Sequence, residues 1–167
     1  MIKQVLVFTL VVIQMMLNGC EKIEYYDCKN NDEYFAFIEN NNKECIENIT
    51  SNIVENIDAS PVMKIYSIKD YLNSESNNFM IVLLGKSIGK YTGDSIFGIQ
   101  YLKNNILFTA RNRLTDYKNN TFIVSITKVD EEEGIITGEF SGKLYDVIHE
   151  DSIIIKNGVF KSKIVKN

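Results

Sequence analysis

Short β-prone runs separated by Asn- and Gly-rich turns make up the chain after Pro61, its only proline. The runs are MKIYSI, FMIVLL, IFGIQYL, ILFTA, TFIVSITKV, GIITGEFSGKL, SIIIK and VFKSKIV. Their Ile, Val, Phe and Tyr side chains favour strands, and the separators NSESNN, KNN and YKNN favour turns. No helical apolar period is sustained after Pro61. This part of the chain therefore predicts an all-β fold, a single antiparallel β-sandwich or barrel-like domain.

One hairpin is defined best by the alternation of its side chains, with Asp130 to Gly134 as its connection. Apolar or small residues share one face of each strand: Phe122, Val124 and Ile126 on the first, and Ile136, Gly138, Phe140, Gly142 and Leu144 on the second. A period of two residues is that of a strand with one buried face. We therefore expect Phe140 in the core and Glu139 in solvent.

A second turn signal, Asn157-Gly158, stands between SIIIK and VFKSK. Both positions tolerate positive φ, which suits a two-residue hairpin loop. A bulge within one continuous strand is the alternative.

Residues 34–57 fit two interpretations. The segment Tyr34 to Ile38 is β-prone and Asn40 to Asn42 has turn chemistry, which together favour a hairpin. A helical spacing is instead shared by four isoleucines: Ile46, Ile49, Ile53 and Ile57. Whether residues 43–57 form a helix or a strand stays open at this point.

The N-terminus has the layout of an export signal. One cation, Lys3, precedes an apolar run from Val5 to Leu17 of 13 residues. As a helix this run is about 20 Å long, short of a hydrocarbon core of roughly 30 Å. The following LNGC resembles the bacterial lipobox, in which the cysteine, here Cys20, is acylated and the chain is cut just before it. The resemblance implies a signal peptide over residues 1–19, a lipid-anchored tether over 20–33 and a β-rich domain over 34–167.

The lipid anchor defines the expected location of the mature chain. Two or three acyl chains hold a protein on a bilayer almost permanently, because each buried CH₂ contributes about 0.8 kcal/mol. Glu21 follows Cys20 in place of the Asp that marks inner-membrane retention in enteric bacteria. We expect an exported protein anchored in the bacterial cell envelope, at the outer membrane.

The remaining cysteines are Cys28 and Cys45, an even number in a compartment where disulfides persist. A bridge between them closes a loop for which the chain-entropy model gives roughly 3 kcal/mol of stabilisation. We predict this disulfide, with two free thiols as the alternative.

The charges of the chain are mixed along its length. Without residues 1–19 the chain has 17 basic residues, one fewer than the full chain because Lys3 is lost, against 22 acidic residues. Nucleic-acid binding favours a basic stripe, and the order of charges along the sequence forms none. We therefore expect no nucleic-acid partner.

The second half of the chain resembles a family of uncharacterised lipoprotein domains from Bacteroidota, small exported chains with a lipobox and a β-rich domain. The resemblance spans roughly residues 77 to 165 and rests on three segments: Gly89 to Gly93, Ser125 to Gly142 and Ile153 to Phe160. These segments consist of turn glycines and alternating apolar residues. The resemblance implies a fold and a location but no activity.

Motifs that carry chemistry are incomplete in this sequence. The GKS at Gly85 follows a strand, but Met80 stands where a phosphate-binding loop needs its first glycine. The acidic run from Asp130 to Glu133 lacks the spaced ligands of a calcium loop. His149 is the only histidine, so it has no second His for a zinc site, and no GxSxG turn marks a nucleophilic serine. We expect no catalytic residue, no metal and no cofactor.

Three functional hypotheses follow. The leading one is a non-enzymatic cell-envelope lipoprotein, a binding or structural module whose partner is a protein or a glycan. A calycin-like carrier or inhibitor with a small apolar ligand is the alternative, and it needs a lined internal cavity. A hydrolase is the third, and it needs a cleft in which His149 meets a Ser or an Asp.

Overall fold

The structure is a computed structural model and describes residue 28 and residues 33–54, 61–67, 77–110, 121–146, 148–149 and 151–165. The predicted signal peptide, the acylation of Cys20 and most of the predicted tether lie outside the described residues.

Strands make up about three quarters of the described chain. The strands are β1 Tyr34–Glu39, β2 Asn42–Glu47, β3 Ile49–Val54, β4 Val62–Ser67, β5 Asn78–Leu84, β6 Gly89–Thr92, β7 Ile96–Lys103, β8 Ile106–Thr109, β9 Ile123–Asp130, β10 Ile135–Asp146 and β11 Ser152–Val165. A 3-10 turn, Gly93–Ser95, connects β6 to β7. The all-β prediction is confirmed.

The strands form two facing layers that are joined into a barrel-like sandwich. The described strands are one continuous sheet, in which β2-β1-β11-β10-β9-β6 make up the first layer and β3-β4-β5-β7-β8 the second. The layers are joined where β11 pairs with β3 and where β10 pairs with β8. The β11–β3 pair is parallel, whereas the other pairs between described strands are antiparallel.

Aromatic rings fill the space between the two layers. Phe35 of β1 and Phe140 of β10 project from the first layer, and both contact Phe79 of the second, at ring-centroid distances of 5.1 and 5.2 Å. Phe37 of β1 meets Tyr101 of β7 at 5.5 Å. All five residues are nearly or completely buried. Ring contacts of this kind add to the free energy of burial, so the aromatic core holds the two layers together.

The predicted hairpin is confirmed as β9 and β10, and its register agrees with the alternation. Phe140 is 2% exposed, and Glu139 beside it lies on the solvent side of the sheet. Val124 pairs with Phe140, and both are buried. The buried face of the hairpin therefore follows directly from the period of two residues.

The predicted hairpin loop at Asn157-Gly158 is wrong, and the alternative bulge is correct. β11 continues through both residues, and the register shifts at this point against β1 and against β10. Asn157 has a φ of 50°, as one residue of a bulge often does. Because β11 is paired along both sides, a bulge keeps both ladders, whereas a hairpin would break them.

The helical spacing of the isoleucines does not produce a helix. Residues 42–47 and 49–54 are two strands, β2 and β3, separated by Asn48 with a φ of 57°. Ile46 and Ile49 are both buried, but in different strands. Pairing of β2 with β1 across the turn at Asn40 and Asn41 supplies the hydrogen bonds that a helix would otherwise make. Ile57 lies outside the described residues.

Candidate binding face

The outer side of the first layer collects lysines. Three adjacent strands contribute Lys128 (β9), Lys143 (β10), and Lys156, Lys161 and Lys163 (β11). The two edge strands add Lys43 on β2 and Lys90 on β6. We call this surface the lysine face.

A bulge at Asn157 in β11 and another at Thr127 in β9 put these side chains on the same side, because strict alternation would turn Lys156 and Lys128 inward. Along β11 the residues next to the lysines, Ile155, Phe160 and Ser162, are buried, so the lysines point outward. Cross-strand pairing then aligns the strands, since Thr137 of β10 is paired with both Lys128 and Lys161. Paired residues share a face, and strands are about 4.8 Å apart, so these two lysine backbones are separated by roughly 10 Å.

Carboxylates on the lysine face are fewer than lysines. Among the described strand residues they are Glu47, Asp130 and Glu139, and Asp130 lies 2.8 Å from the Lys128 ammonium. This contact lowers the pKa of Asp130 and raises that of Lys128. The described strands thus carry seven lysines and three carboxylates on this face, whereas the whole chain has a net charge of −4.

A groove lies in the middle of the lysine face. It has a volume of about 220 Å³, and its lining is formed by Ile123, Ser125, Glu139, Phe140, Ser141, Asn157, Gly158 and Val159. Two serines and the Asn157-Gly158 bulge form part of this lining, whereas the surrounding positions carry lysines. Their side chains are shorter than those of the lysines, which leaves a depression between them. The groove presents two hydroxyls, one amide and the exposed Glu139 carboxylate, so it can both donate and accept hydrogen bonds.

The outer side of β10 also carries an aromatic ring. Lys143 lies with its ammonium 5.0 Å from the centroid of the Tyr145 ring, two residues along β10 on the same face. This cation–π contact holds the lysine over the sheet. The face thus combines positive charge, hydroxyl groups and an aromatic ring.

A second polar cluster lies between the layers, at one end of the core. The Lys103 ammonium is 2.6 Å from Glu39 and 3.0 Å from Glu44, and the buried Tyr101 hydroxyl donates a hydrogen bond to Glu39 at 3.2 Å. Glu39 follows the aromatic residues of β1, whereas Lys103 and Tyr101 are on β7. The cluster therefore connects the two layers by hydrogen bonds and charge, and all four groups have partners.

The environment of this cluster changes the pKa of two of its members. Burial raises the pKa of the Tyr101 phenol above its usual range, and the charges of Glu39 and Glu44 raise it further. Burial acts to lower the pKa of Lys103, but its hydrogen bonds to the two glutamates outweigh this and leave its pKa raised. Both shifts favour the protonated form in the folded protein.

We expect the protein to lose stability in alkali more steeply than a Tyr101→Phe variant. The unfolded phenol ionises near pH 10 whereas the folded one stays protonated, so the contribution of Tyr101 is complete below pH 10 and is lost as the pH rises above it. Above that pH the free energy of unfolding should fall by about 1.4 kcal/mol more per pH unit in the wild type. Urea unfolding of the full-length chain in detergent micelles at a series of alkaline pH values measures this. Parallel curves for the two proteins would contradict the assignment.

The only histidine lies in the connection between β10 and β11. His149 Nδ1 is 2.5 Å from Asp146 Oδ2, and the backbone N–H of Ile148 donates to the other oxygen at 2.9 Å. Burial acts to raise the pKa of Asp146, but these hydrogen bonds lower it below its usual range. The His149 side chain is 63% exposed on a loop, and the geometry is that of a capped turn. Neither His149 nor Asp146 lines either of two grooves in the described part of the chain.

The predicted cysteine pair is joined in the structure. A disulfide connects Cys28 to Cys45 of β2, and the two Cα atoms are 6.0 Å apart. Cys45 is opposite Ala36 on β1, at the edge of the layer that carries the lysine face. The bridge therefore links the tether to this edge.

The other sequence motifs have structural roles. Gly85 to Ser87 connects β5 to β6, and the Ser87 carbonyl accepts a hydrogen bond from the Tyr91 hydroxyl at 2.7 Å. The acidic run forms the tip of the β9–β10 hairpin, where Asp130 accepts a hydrogen bond from the backbone of Glu133. Within the described ranges, no three His, Cys, Asp or Glu residues are grouped closely enough to hold a metal ion.

No protein-family model, curated protein or solved structure matches this chain. In the part of the chain that the structure describes, no helix is long and apolar enough to cross a membrane.

The lysine face and its groove were not predicted from the sequence. Alternation predicts the outward side only within an unbulged stretch, and neither the bulges at Thr127 and Asn157 nor the order in which the strands pair is readable from local patterns.

Proposed function

We propose that this chain is a lipid-anchored, non-enzymatic binding module of the bacterial cell envelope, located at the outer membrane, and that it binds its partner through the lysine face. The observation that carries the proposal is the concentration of lysines around a groove on one side of the sandwich. Lysines are strongly hydrated and cost little to expose, but a one-sided arrangement in a chain of negative net charge favours an anionic partner.

The packing of the interior favours this function over a carrier. A carrier of apolar ligands needs a lined cavity inside the sandwich. The corresponding space is occupied by Phe35, Phe37, Phe79, Tyr101 and Phe140, whose ring centroids lie 5.1 to 5.8 Å apart in the contacts that join them. The outer surface is therefore the better candidate for binding.

The shortness of the tether favours a lysine face that binds its partner close to a membrane. Seven residues lie between Cys20 and Cys28, and the segment from one cysteine to the other spans at most roughly 28 Å when fully extended. The disulfide to Cys45 fixes the far end of this tether to the edge of the layer with the lysine face. With an acylated Cys20, this edge stays within that distance of the bilayer.

Acylation of Cys20 is the direct test of the anchor. We expect the wild-type chain, expressed in a bacterial host, to be in the membrane fraction with an intact mass that fits cleavage after Gly19 and added acyl chains. Cys20→Ser should lose the acyl mass and the cleavage, because the thiol is the acylated group. A Cys28→Ser/Cys45→Ser variant is the control and should keep both. A wild-type mass without acyl groups would refute the anchor.

A further inference from the structure

We propose that the ligand of the lysine face is an acidic polysaccharide, a glycan chain that carries anionic groups beside free hydroxyls. This inference rests on the proposed function and specifies the partner. Three features of the face support it: the spacing of the lysines, the carboxylate at the centre and the polar lining of the groove.

The lysines suit a polyanion with repeated charges. They lie on both sides of the groove, with Lys128 and Lys90 on the β9–β6 side and Lys156 on the β11 side. Lys156 and Lys128 are exposed. A single small anion would need convergent cations, whereas these side chains are distributed over five strands. Distributed charge of this kind fits an extended ligand that places an anionic group near each lysine.

The Glu139 carboxylate favours binding of a glycan over binding of partners that are recognised by charge alone. The carboxylate is exposed in the lining of the groove, and Glu139 is paired through the backbone with Val159 and Ser125. An ionised carboxylate only accepts hydrogen bonds. A partner that presents only phosphates would be repelled at this position, whereas the hydroxyls of a sugar would donate to it. The face therefore fits a ligand with anionic groups and hydroxyls side by side.

The groove gives such a ligand polar contacts between the charges. Ser125 and Ser141 are partly exposed on neighbouring strands, and Asn157 is exposed at the bulge of the third. Hydroxyl and amide groups both donate and accept, as sugar hydroxyls require.

Titration of the full-length chain in a nonionic detergent tests the inference. Polygalacturonate is the anionic, hydroxyl-bearing probe, and dextran is the neutral one. Inorganic polyphosphate and single-stranded DNA represent partners that are recognised mainly through phosphate charge. We expect binding to polygalacturonate that weakens as salt is added, and no binding to dextran. Absence of binding to polygalacturonate, or tighter binding to the polyphosphate or the DNA, would overturn the inference.

Charge reversal locates the surface. Lys156→Glu/Lys163→Glu should weaken binding to polygalacturonate roughly tenfold or more, because each lysine near an anionic surface contributes to attraction. Lys64→Glu/Lys86→Glu is the matched control, with the same change in net charge and exposed positions outside the lysine face. It should retain near wild-type affinity. Equal losses in the two variants would show an effect of net charge and would overturn the assignment to this face.

Glu139→Gln discriminates hydroxyl recognition from charge alone by the sign of its effect. If sugar hydroxyls donate to the carboxylate, the variant should bind polygalacturonate about fivefold more weakly. If only charge matters, removal of a negative group from a positive face should tighten binding, and this outcome would overturn the inference. Glu47→Gln, on the same face but outside the groove, is the control, and it should not weaken binding.

The outcomes separate this inference from the proposed function. An acylated chain that does not bind polygalacturonate would agree with the proposed lipid-anchored module and would exclude this ligand. A chain without acyl groups that still binds polygalacturonate through the lysine face would exclude the anchor and keep the ligand.

Discussion

Phe140→Ala should lower the free energy of unfolding by about 3 to 5 kcal/mol, whereas Glu139→Gln should change it by less than about 0.5 kcal/mol. Phe140 is 2% exposed and its ring lies 5.2 Å from Phe79, 5.8 Å from Phe35 and 6.3 Å from Phe122. Its truncation removes buried apolar surface and leaves a cavity between the two layers. Glu139 lies on the outer side of the same strand, where the loss of its charge removes no packing.

Urea unfolding of the full-length chain in detergent micelles measures both variants. The two substitutions are adjacent on β10, so they share a backbone environment and differ mainly in the side of the sheet that they occupy. Equal midpoints, or a larger loss for Glu139→Gln, would contradict the register of the β9–β10 hairpin. The small effect expected for Glu139→Gln also makes this variant usable in the binding experiment.

Gly142→Ala should destabilise the protein by roughly 2 to 4 kcal/mol, because the site has neither the backbone conformation nor the space for a side chain. Gly142 has a φ of +151°, which L residues rarely adopt. A Cβ at this position would lie 2.5 Å from the Cα atom of Phe122. That neighbour is backbone next to β9 and cannot rotate away, so the strands would have to separate.

Gly98→Ala is the matched control for this prediction. Gly98 lies in β7, and a Cβ there meets no atom within 4 Å. Alanine also restricts the unfolded chain more than glycine does, so this variant should be neutral or slightly more stable. Urea unfolding of the two alanine variants compares a crowded glycine with an open one. A Gly142→Ala protein as stable as Gly98→Ala would show that the close approach of β10 to Phe122 is not needed.

Features that depend on neighbouring residues along the chain were predictable from the sequence. The β9–β10 hairpin is one, because the period of two and the Asp130 to Gly134 connection lie within one short segment. Phe140 was assigned to the core and Glu139 to solvent on this ground alone, and the burial of both agrees. The Cys28–Cys45 bridge is another feature that the sequence favoured, because only one pair remained after Cys20.

Local sequence patterns were ambiguous where the secondary structure depends on pairing with strands that are distant in the sequence. Asn157-Gly158 suits a hairpin loop and a bulge equally well, and the bulge forms because β1 and β10 pair with the same strand on both sides. The spacing of Ile46, Ile49 and Ile53 fits a helix and also two strands with a turn at Asn48. Pairing with β1 and β4 decides for strands, since it satisfies the backbone groups in the sheet.

The lysine face was decided by the tertiary structure alone. Charges of both signs are mixed along the sequence, and alternation by itself would put Lys156 on the opposite side of β11 from Lys161. Lys43, Lys90, Lys128 and Lys156 become one surface only because β2, β1, β11, β10, β9 and β6 pair in that order. That order brings together segments more than 100 residues apart, and it is set by the burial of the aromatic core on the opposite side of the same strands.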